Sequence, residues 1–127
     1  MKVTASLLGA ALDATRVEIW TDVDGLMTAD PRLVPSARTL ASATYEEAAE
    51  LATFGAKVLH PNTIAPAVRR GIPVYVFNSR NPSGRGTRIT FDAPRLPVRA
   101  IAGKARTVVV KIRSPRIMQL FADAQNR

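Results

Sequence analysis

The residues best suited to chemistry follow a short apolar run near the start of this 127-residue sequence. Residues 17–20 predict a buried strand, and residues 21–25 predict a polar turn in which Gly25 supplies a positive φ. Open α/β sheets bind ligands beyond the carboxyl ends of their strands. Asp22 and Asp24 could hold Mg²⁺ together, or one could bind a ribose hydroxyl; the alternative is that both only cap their own turn. We therefore expect a nucleotide or small-metabolite site here.

Three further polar side chains each allow a functional and a structural interpretation. Arg32 follows an Asp-Pro pair, and it is either a phosphate-binding cation or an ordinary turn residue. Lys57 lies among apolar residues, so its ammonium could neutralise phosphate charge or extend from a helix edge to solvent. His60, the only histidine, precedes Pro61 and is expected to cap or pack against a helix rather than to catalyse.

Length and composition indicate one domain of ordinary size. The apolar fraction is 46%, and no apolar run reaches the roughly 18 residues of a membrane-spanning helix. We therefore expect no membrane partner. The absence of cysteine excludes disulfides and thiolate metal sites, and it is consistent with a cytoplasmic protein.

The net charge of +8 is unevenly distributed along the chain. Residues 1–60 contain five basic and eight acidic residues, whereas residues 61–127 contain thirteen basic and two acidic residues. Such asymmetry is typical of a polyanion-binding face. No aromatic interleaving and no nucleic-acid motif accompany it, so a basic polyanion-binding module is the less favoured hypothesis.

The elements that must position these residues alternate between helices and strands, which favours an α/β fold. The near-continuous apolar run within residues 73–78 is typical of a strand in a parallel sheet, buried on both faces. Pro31 and Pro35 each restrict the neighbouring residue away from the α region, so residues 30–35 are predicted to be extended. The predicted helices cover residues 4–14, 44–53, 56–60 and 62–70, and the predicted strands cover residues 16–21, 73–78 and 87–90.

Capping signals mark the ends of these helices. Thr44 and Glu47 have the spacing of a capping box. The other predicted caps are Thr4 at the first helix, Asn62 or Thr63 at the last, and Gly71 beyond its end.

The pattern changes after residue 91. Residues 92–97 are proline-rich and predict a linker. Residues 98–104 and 107–113 predict strands, and Ser114 predicts the N-cap of a helix. One hairpin and one helix bury too little to form a core of their own, so we interpret them as the start of a second domain.

Four blocks of residues, in matching order and spacing between about residues 4 and 90, resemble the aspartate kinases of the amino-acid kinase family. Residues 98–118 are similar to the start of the regulatory ACT region of the same enzymes. The four blocks are EIWTDVDG at residues 18–25, TADPR at 28–32, YEEAAEL at 45–51 and FGAKVLHP at 54–61.

The resemblance implies an α/β fold, a partial αβα sandwich with a mainly parallel sheet. Residues 1–91 would form the C-terminal, nucleotide-binding half of the kinase domain, residues 92–97 a linker, and residues 98–127 an incomplete ACT-like βα stub. The reaction implied is phosphoryl transfer from MgATP to the β-carboxylate of L-aspartate, the first step of lysine, threonine and methionine biosynthesis. ATP and Mg²⁺ are the implied ligands.

The resemblance also implies individual roles. Met27 stands where some family members have tyrosine, so only a backbone or packing contact carries over to it. Lys2 stands where the family has the aspartate that organises the transferring phosphoryl group, so no catalytic residue is assigned. The implied ATP-binding residues are Thr21, Asp22, Met27, Arg32, Lys57 and Val58.

The family's Lys-Phe-Gly-Gly-Thr phosphate motif and its aspartate-binding half are absent from this sequence. Phosphoryl transfer depends on positioning and charge stabilisation, so we expect the chain alone to be inactive. The expected partners are further copies of the chain in a homo-oligomer or a complementary kinase fragment. In the alternative hypothesis the chain is a non-catalytic or regulatory subunit that completes a kinase with a separate N-terminal fragment.

Overall fold

Helices and strands alternate along most of the chain in a computed structural model, which describes residues 2–53, 59–94 and 96–109. None of the helices in these three ranges has the length and hydrophobicity needed to cross a membrane. The elements are α1 (Lys2–Ala11), β1 (Val17–Thr21), β2 (Ser42–Thr44), α2 (Tyr45–Thr53), α3 (Pro61–Arg69), β3 (Val74–Asn78) and β4 (Thr87–Thr90).

The four strands form one sheet in the order β1-β3-β4-β2. β1 pairs with β3 in parallel, from Val17 opposite Val74 to Thr21 opposite Asn78. β2 also pairs with β4 in parallel, whereas β3 and β4 are antiparallel. The expected α/β fold with a mostly parallel sheet is confirmed. The carboxyl ends of β1 and β3 consequently lie at the same edge, where β4 and β2 begin.

One face of the sheet forms the core with the helices. Residues alternate across a strand, so every second side chain of β1 and β3 points to this face. α1 approaches β1 closely at Gly9, where an added Cβ would lie 2.5 Å from Cγ2 of Val17. Buried apolar side chains from the strands and from α3 make up one cluster, including Val17, Ile19, Ile64, Ala67, Val74, Val76 and Ile89.

The opposite face carries three aromatic side chains, Trp20, Tyr75 and Phe77, which we call the aromatic face. The ring centroids of Trp20 and Phe77 lie 5.0 Å apart, and those of Tyr75 and Phe77 lie 5.8 Å apart. Trp20 is 48% exposed, and the other two are half-buried. Burial of β3 on both faces, as its apolar run predicted, is therefore only partial in the described structure.

The capping box of α2 is confirmed. The backbone N–H of Glu47 donates to Thr44 Oγ1 at 3.1 Å, and the backbone N–H of Thr44 donates to Glu47 Oε2 at 2.8 Å. Gly71 has φ +67° beyond α3, so its predicted position after the helix end is also confirmed. Both features depend on neighbours within the same segment, which is why sequence spacing reveals them.

Two predicted N-caps are wrong. Thr4 lies inside α1, because the helix already begins at Lys2. α3 begins at Pro61, so its cap is His60, whose Nδ1 accepts the N–H of Asn62 at 3.3 Å. Proline lacks an N–H and suits the first helical position, which moves the cap to the residue before it. Asn62 and Thr63 are both inside the helix.

Two other local predictions need correction. Residues 31–33 form a turn rather than an extended segment, since the N–H groups of Leu33 and Val34 both donate to Asp30 O, at 3.0 and 2.8 Å. Pro31 restricts the residue before it and presets a turn after it. The predicted helix over residues 56–60 is not seen at Leu59 and His60, which are irregular, and its first three residues lie outside the described ranges.

One strand of the sheet was not predicted from the sequence, and one predicted strand is absent from the described residues. β2 has only three residues, and it exists because β4 pairs with it, which no local pattern shows. Residues 98–104 are irregular, so the strand predicted there is wrong; residues 107–109 are irregular too. Apolar side chains of this segment, such as Val98 and Ile101, are more than two-thirds exposed. Residues 110–113 and the helix predicted after Ser114 lie outside the described residues.

Residues 96–109, which we call the C-terminal segment, are irregular, and residues 96–102 lie beside α2. The Arg99 side chain, 11% exposed, donates to the carbonyl oxygens of Ser42 and Pro94, and its Nε lies 3.7 Å from Glu47 Oε1. The N–H of Ile101 donates to Thr28 O at 2.9 Å. These contacts fasten the C-terminal segment to the sheet edge where β2 begins.

Candidate functional site

The loops that follow β1 and β3 meet at the shared sheet edge. The backbone N–H and the hydroxyl of Ser79 both donate to Thr21 O, at 2.8 and 3.0 Å. Asn78 Nδ2 donates to Asp24 Oδ1 at 2.9 Å. The parallel pairing of β1 with β3 brings these residues together although more than fifty positions separate them in sequence. This is the place where α/β sheets bind ligands.

The two carboxylates of the first loop have different surroundings. Asp24 accepts the Asn78 amide, whereas the hydrogen bond recorded for Asp22 comes from the adjacent Thr21 hydroxyl, at 3.1 Å. The Asp22 side chain is exposed. Within the described ranges no three or more His, Cys, Asp or Glu side chains group together as a metal site would require. Asp24 therefore holds the loop, and Asp22 presents an open carboxylate.

The end of this loop, at Leu26, is bound by Thr87, a buried residue of β4. Its hydroxyl accepts the N–H of Leu26 at 2.9 Å and donates to Leu40 O at 2.6 Å. Gly25 has φ +127°, so the positive φ predicted for it is confirmed. Thr87 and Leu26 are both fully buried, with exposed fractions of 0% and 1%. The loop is thus fixed at its end by a buried threonine of β4.

Residues 27–39, which we call the excursion, leave the strand ends at Met27 and return to them at Thr39. Met27 and Thr39 form an antiparallel bridge, and the N–H of Thr28 donates to Arg38 O at 2.8 Å. The Met27 side chain is half-buried, and its backbone belongs to the base of the excursion. This placement agrees with a backbone or packing role for Met27.

Arg32 lies in the turn of that excursion. Its guanidinium donates to both oxygens of Asp30, at 3.1 and 2.8 Å, and its side chain is 85% exposed. These hydrogen bonds lower the pKa of Asp30 and raise the pKa of Arg32 relative to their ordinary values. The guanidinium is held by Asp30, and no hydrogen bond recorded among the described residues joins it to Asp22.

An open cavity of about 630 Å³ lies between this excursion and the C-terminal segment. Its wall contains the ammonium-bearing Lys104 together with Arg32, so two cations and the Asp30 carboxylate share it. The lining residues are Asp30, Arg32, Leu33, Gly103, Lys104 and Ala105.

The structure brings together only part of the predicted site. Thr21 and Asp22 lie at the strand ends, Met27 and Arg32 lie on the excursion, and Lys57 and Val58 lie outside the described residues. Lys2, assigned to the family's aspartate position, begins α1.

Sequence reasoning missed three residues that shape the site, which are Asn78, Ser79 and Thr87. A polar pair directly after an apolar strand marked the first loop, and the same signal was present at Asn78 and Ser79. No local signal identifies Thr87, because its role depends on β4 lying beside β3 and behind the loop.

Residues 3–78 match the amino acid kinase family. Lysine-sensitive aspartokinase 3 of Escherichia coli is 47% identical over 112 residues, which are 87% of this chain and 25% of that protein. Aspartokinase 2, chloroplastic, of Arabidopsis thaliana is 42% identical over 118 residues, 91% of this chain and 22% of that protein. The chain therefore spans about a quarter of the length of these relatives.

The fold is also similar to that of a solved aspartokinase structure. The crystal structure of E. coli aspartokinase III in complex with aspartate and ADP superposes with a TM-score of 0.72 and 51% identity. The match covers 80% of this chain and 23% of that chain.

Proposed function

The chain belongs to the amino acid kinase family, and from this premise we propose that it forms the nucleotide-binding part of an aspartokinase. The whole enzyme would transfer a phosphoryl group from MgATP to the β-carboxylate of L-aspartate. The observation that carries the proposal is the pair of strand-end loops, joined by Thr21, Ser79, Asp24 and Asn78, with the open Asp22 carboxylate between them. The similar E. coli structure contains aspartate and ADP.

Thr21 and Asp22 are the first two nucleotide contacts in this proposal. An open carboxylate accepts a hydrogen bond from a ribose hydroxyl, or it joins the phosphates in holding Mg²⁺, which usually keeps several water ligands. The Thr21 hydroxyl donates to Asp22 and so orients that carboxylate. MgATP itself supplies the transferable phosphoryl group.

The proposed phosphate contacts are cations. Arg32 and Lys57 would neutralise the charge of the polyphosphate, and a guanidinium can bind two phosphate oxygens at once. In the described structure Arg32 makes that two-pronged contact with Asp30. Phosphate would have to compete with Asp30 for this fork, which is feasible because the Arg32 side chain is 85% exposed and Asp30 is partly exposed. Val58 and Met27 complete the proposed contacts.

Isothermal titration of the purified chain with MgATP and with MgADP tests this function. We expect saturable binding by the wild type and at least about tenfold weaker binding by Asp22→Ala, the scale of one lost charge-assisted hydrogen bond. Asp92→Ala is the matched control, since Asp92 is an exposed aspartate after β4, at the opposite sheet edge. A folded chain that binds neither nucleotide would refute the proposal. We also expect the chain alone to show no aspartate-dependent ADP release.

A second candidate function is a subunit that completes a kinase with a separate N-terminal fragment. The half-exposed aromatic face favours it, because a sheet face with Trp20 48% exposed has apolar area left to bury. Co-elution with a fragment equivalent to the preceding part of E. coli aspartokinase, with recovery of aspartate-dependent ADP release, would support it. Loss of both in Trp20→Ser but not in Leu33→Ser, also an exposed apolar residue, would locate the contact. Separate elution without activity would exclude it.

Residues 98–127 are proposed to begin an ACT-like regulatory region. The supporting observation is that similarity continues past the kinase match, since a bifunctional aspartokinase/homoserine dehydrogenase of Haemophilus influenzae aligns with 95% of this chain. A cytoplasmic location and a homo-oligomer are also proposals; the Arabidopsis relatives are named chloroplastic. Sedimentation velocity and imaging of a tagged chain test these two points.

A further inference from the structure

The side-chain amide of Asn78 is used at both ends. Its Nδ2 donates to Asp24 Oδ1 at 2.9 Å, and its Oδ1 accepts the N–H of Arg80, also at 2.9 Å. A flipped amide would place its oxygen against the Asp24 carboxylate and its NH₂ against an N–H donor, and both contacts are unfavourable. The orientation of Asn78 is therefore determined by its partners.

These bonds anchor the loop after β1 on both sides of Asp22. On one side, Ser79 holds the carbonyl oxygen of Thr21 with two hydrogen bonds. On the other side, Asn78 holds the carboxylate of Asp24. Asp22 lies between the two anchor points, and within the described residues its side chain accepts a hydrogen bond from the neighbouring Thr21 hydroxyl. The segment that carries Asp22 is thus held on both sides by residues of the second loop.

We propose that Asn78 is a positioning residue for the nucleotide, which fixes Asp24 and thereby presents Asp22 to its ligand. This inference rests on the proposed nucleotide function and adds to it a residue of β3 that would act on the ligand through Asp24 and Asp22. The physical reason is pre-organisation: a loop already held in its binding geometry loses less conformational freedom when the ligand binds. Without the Asn78 bond, the side of the turn that carries Asp24 would have to be ordered when the ligand binds.

Exchange of the two partners tests the proposal, with MgADP as the titrant. Asn78→Asp places two carboxylates face to face, so we expect MgADP affinity to fall at least about tenfold. Asp24→Asn keeps an acceptor for the Asn78 amide, so we expect a change below about threefold. The double variant Asp24→Asn/Asn78→Asp restores both bonds, since Asn at 24 donates to Asp at 78, which still accepts from Arg80. We expect its affinity to return to within about threefold of wild type.

Two controls separate positioning from charge and from unfolding. Asn81→Asp adds the same charge on the same loop without touching Asp24, and it should bind MgADP within about twofold of wild type. Thermal unfolding must show that Asn78→Asp is folded at the titration temperature. In NMR spectra, the Asp22 amide signal should shift in Asn78→Asp and return in the double variant.

The outcomes distinguish the inference from the function on which it rests. If the wild type does not bind MgADP, the nucleotide function fails and the inference is refuted with it. If the wild type binds and folded Asn78→Asp binds equally well, the inference alone is overturned. The inference is also overturned if the double variant binds MgADP as weakly as Asn78→Asp. A loss of affinity with a cause other than the Asp24–Asn78 pair would persist after the two partners are exchanged.

Discussion

Gly25 lies directly against Thr87: an added Cβ would overlap the threonine hydroxyl oxygen and lie 3.1 Å from the threonine Cβ. The same hydroxyl binds Leu26 N and Leu40 O, so it cannot move aside without losing both hydrogen bonds. Gly25 also has φ +127°, a conformation that side chains rarely adopt. The exit of the candidate site loop therefore requires glycine for two independent reasons.

We predict that Gly25→Ala lowers the free energy of unfolding by about 3 kcal/mol, the sum of backbone strain and overpacking. Gly71→Ala is the matched control, since Gly71 has φ +67° but nothing within 4 Å of an added Cβ. It should cost only about 1 kcal/mol, from strain alone. Urea denaturation of both variants measures the difference. Equal losses would mean that the approach of Thr87 imposes no constraint.

Tyr45→Phe should lower the free energy of unfolding by about 1–2 kcal/mol. The Tyr45 hydroxyl donates to Ile72 O at 2.6 Å in a buried position, and the variant leaves that carbonyl unpaired. Tyr75→Phe, on the half-exposed aromatic face, keeps the ring contacts and should change stability by less than about 0.5 kcal/mol. Denaturation curves at neutral pH test the pair. A similar loss in both variants would contradict the assigned role of the Tyr45 hydroxyl.

The same tyrosine predicts a pH dependence at alkaline pH. Burial raises the pKa of Tyr45 above its ordinary value of 10.0. A group whose pKa is raised on folding stabilises the fold below its unfolded pKa, and this contribution is lost as the pH rises through the folded pKa. The stability difference between wild type and Tyr45→Phe should therefore shrink above about pH 10. A constant difference between pH 8 and pH 11.5 would argue against the raised pKa.

Asp30 predicts a pH dependence of the opposite sign, in which stability is lost as the pH falls into the acid range. Hydrogen bonds from the Arg32 side chain and backbone lower the pKa of Asp30 below its ordinary value of 3.8. A carboxyl with a lowered pKa stabilises the fold above its unfolded pKa and loses that contribution as the pH falls through the folded pKa. NMR titration should show the pKa of Asp30 rising toward 3.8 in Arg32→Gln and staying lowered in Arg38→Gln. An unchanged pKa in Arg32→Gln would show that the two side chains do not pair in solution.

Arg99 is predicted to hold the C-terminal segment on the sheet edge. In Arg99→Ala the contacts with Ser42, Pro94 and Glu47 are lost, so the amide of Ile101, which donates to Thr28 O, should exchange at least about tenfold faster. Arg106→Ala removes an exposed arginine of the same segment and should leave that rate unchanged. Hydrogen exchange followed by NMR measures the exchange rate of the Ile101 amide in both variants. Unaltered protection of Ile101 in Arg99→Ala would show that other contacts hold the segment.

Features that depend on a few neighbouring residues were predictable from sequence. Short apolar runs located β1 and β3, the strand predicted over residues 87–90 matches β4, and the capping box of Thr44 and Glu47 located the start of α2. His60 caps a helix, as expected for it, but the N-cap of α3 was assigned to Asn62 or Thr63 because the first helical position, Pro61, was not recognised from sequence. The three-residue strand β2 was missed because its only support is pairing with β4.

By itself the sequence determined the mostly parallel α/β fold, the strand that carries Thr21 and Asp22 to a sheet edge, and the family resemblance. These features depend on the periodicity of apolar residues and on the order of motifs, both of which are patterns along the sequence. Only the tertiary structure decided that Asp24 and Asn78 form a pair and that Thr87 closes the loop at Gly25. Hydrogen bonds and close contacts act over about 3 Å, so their partners are known only once strands distant in sequence lie side by side.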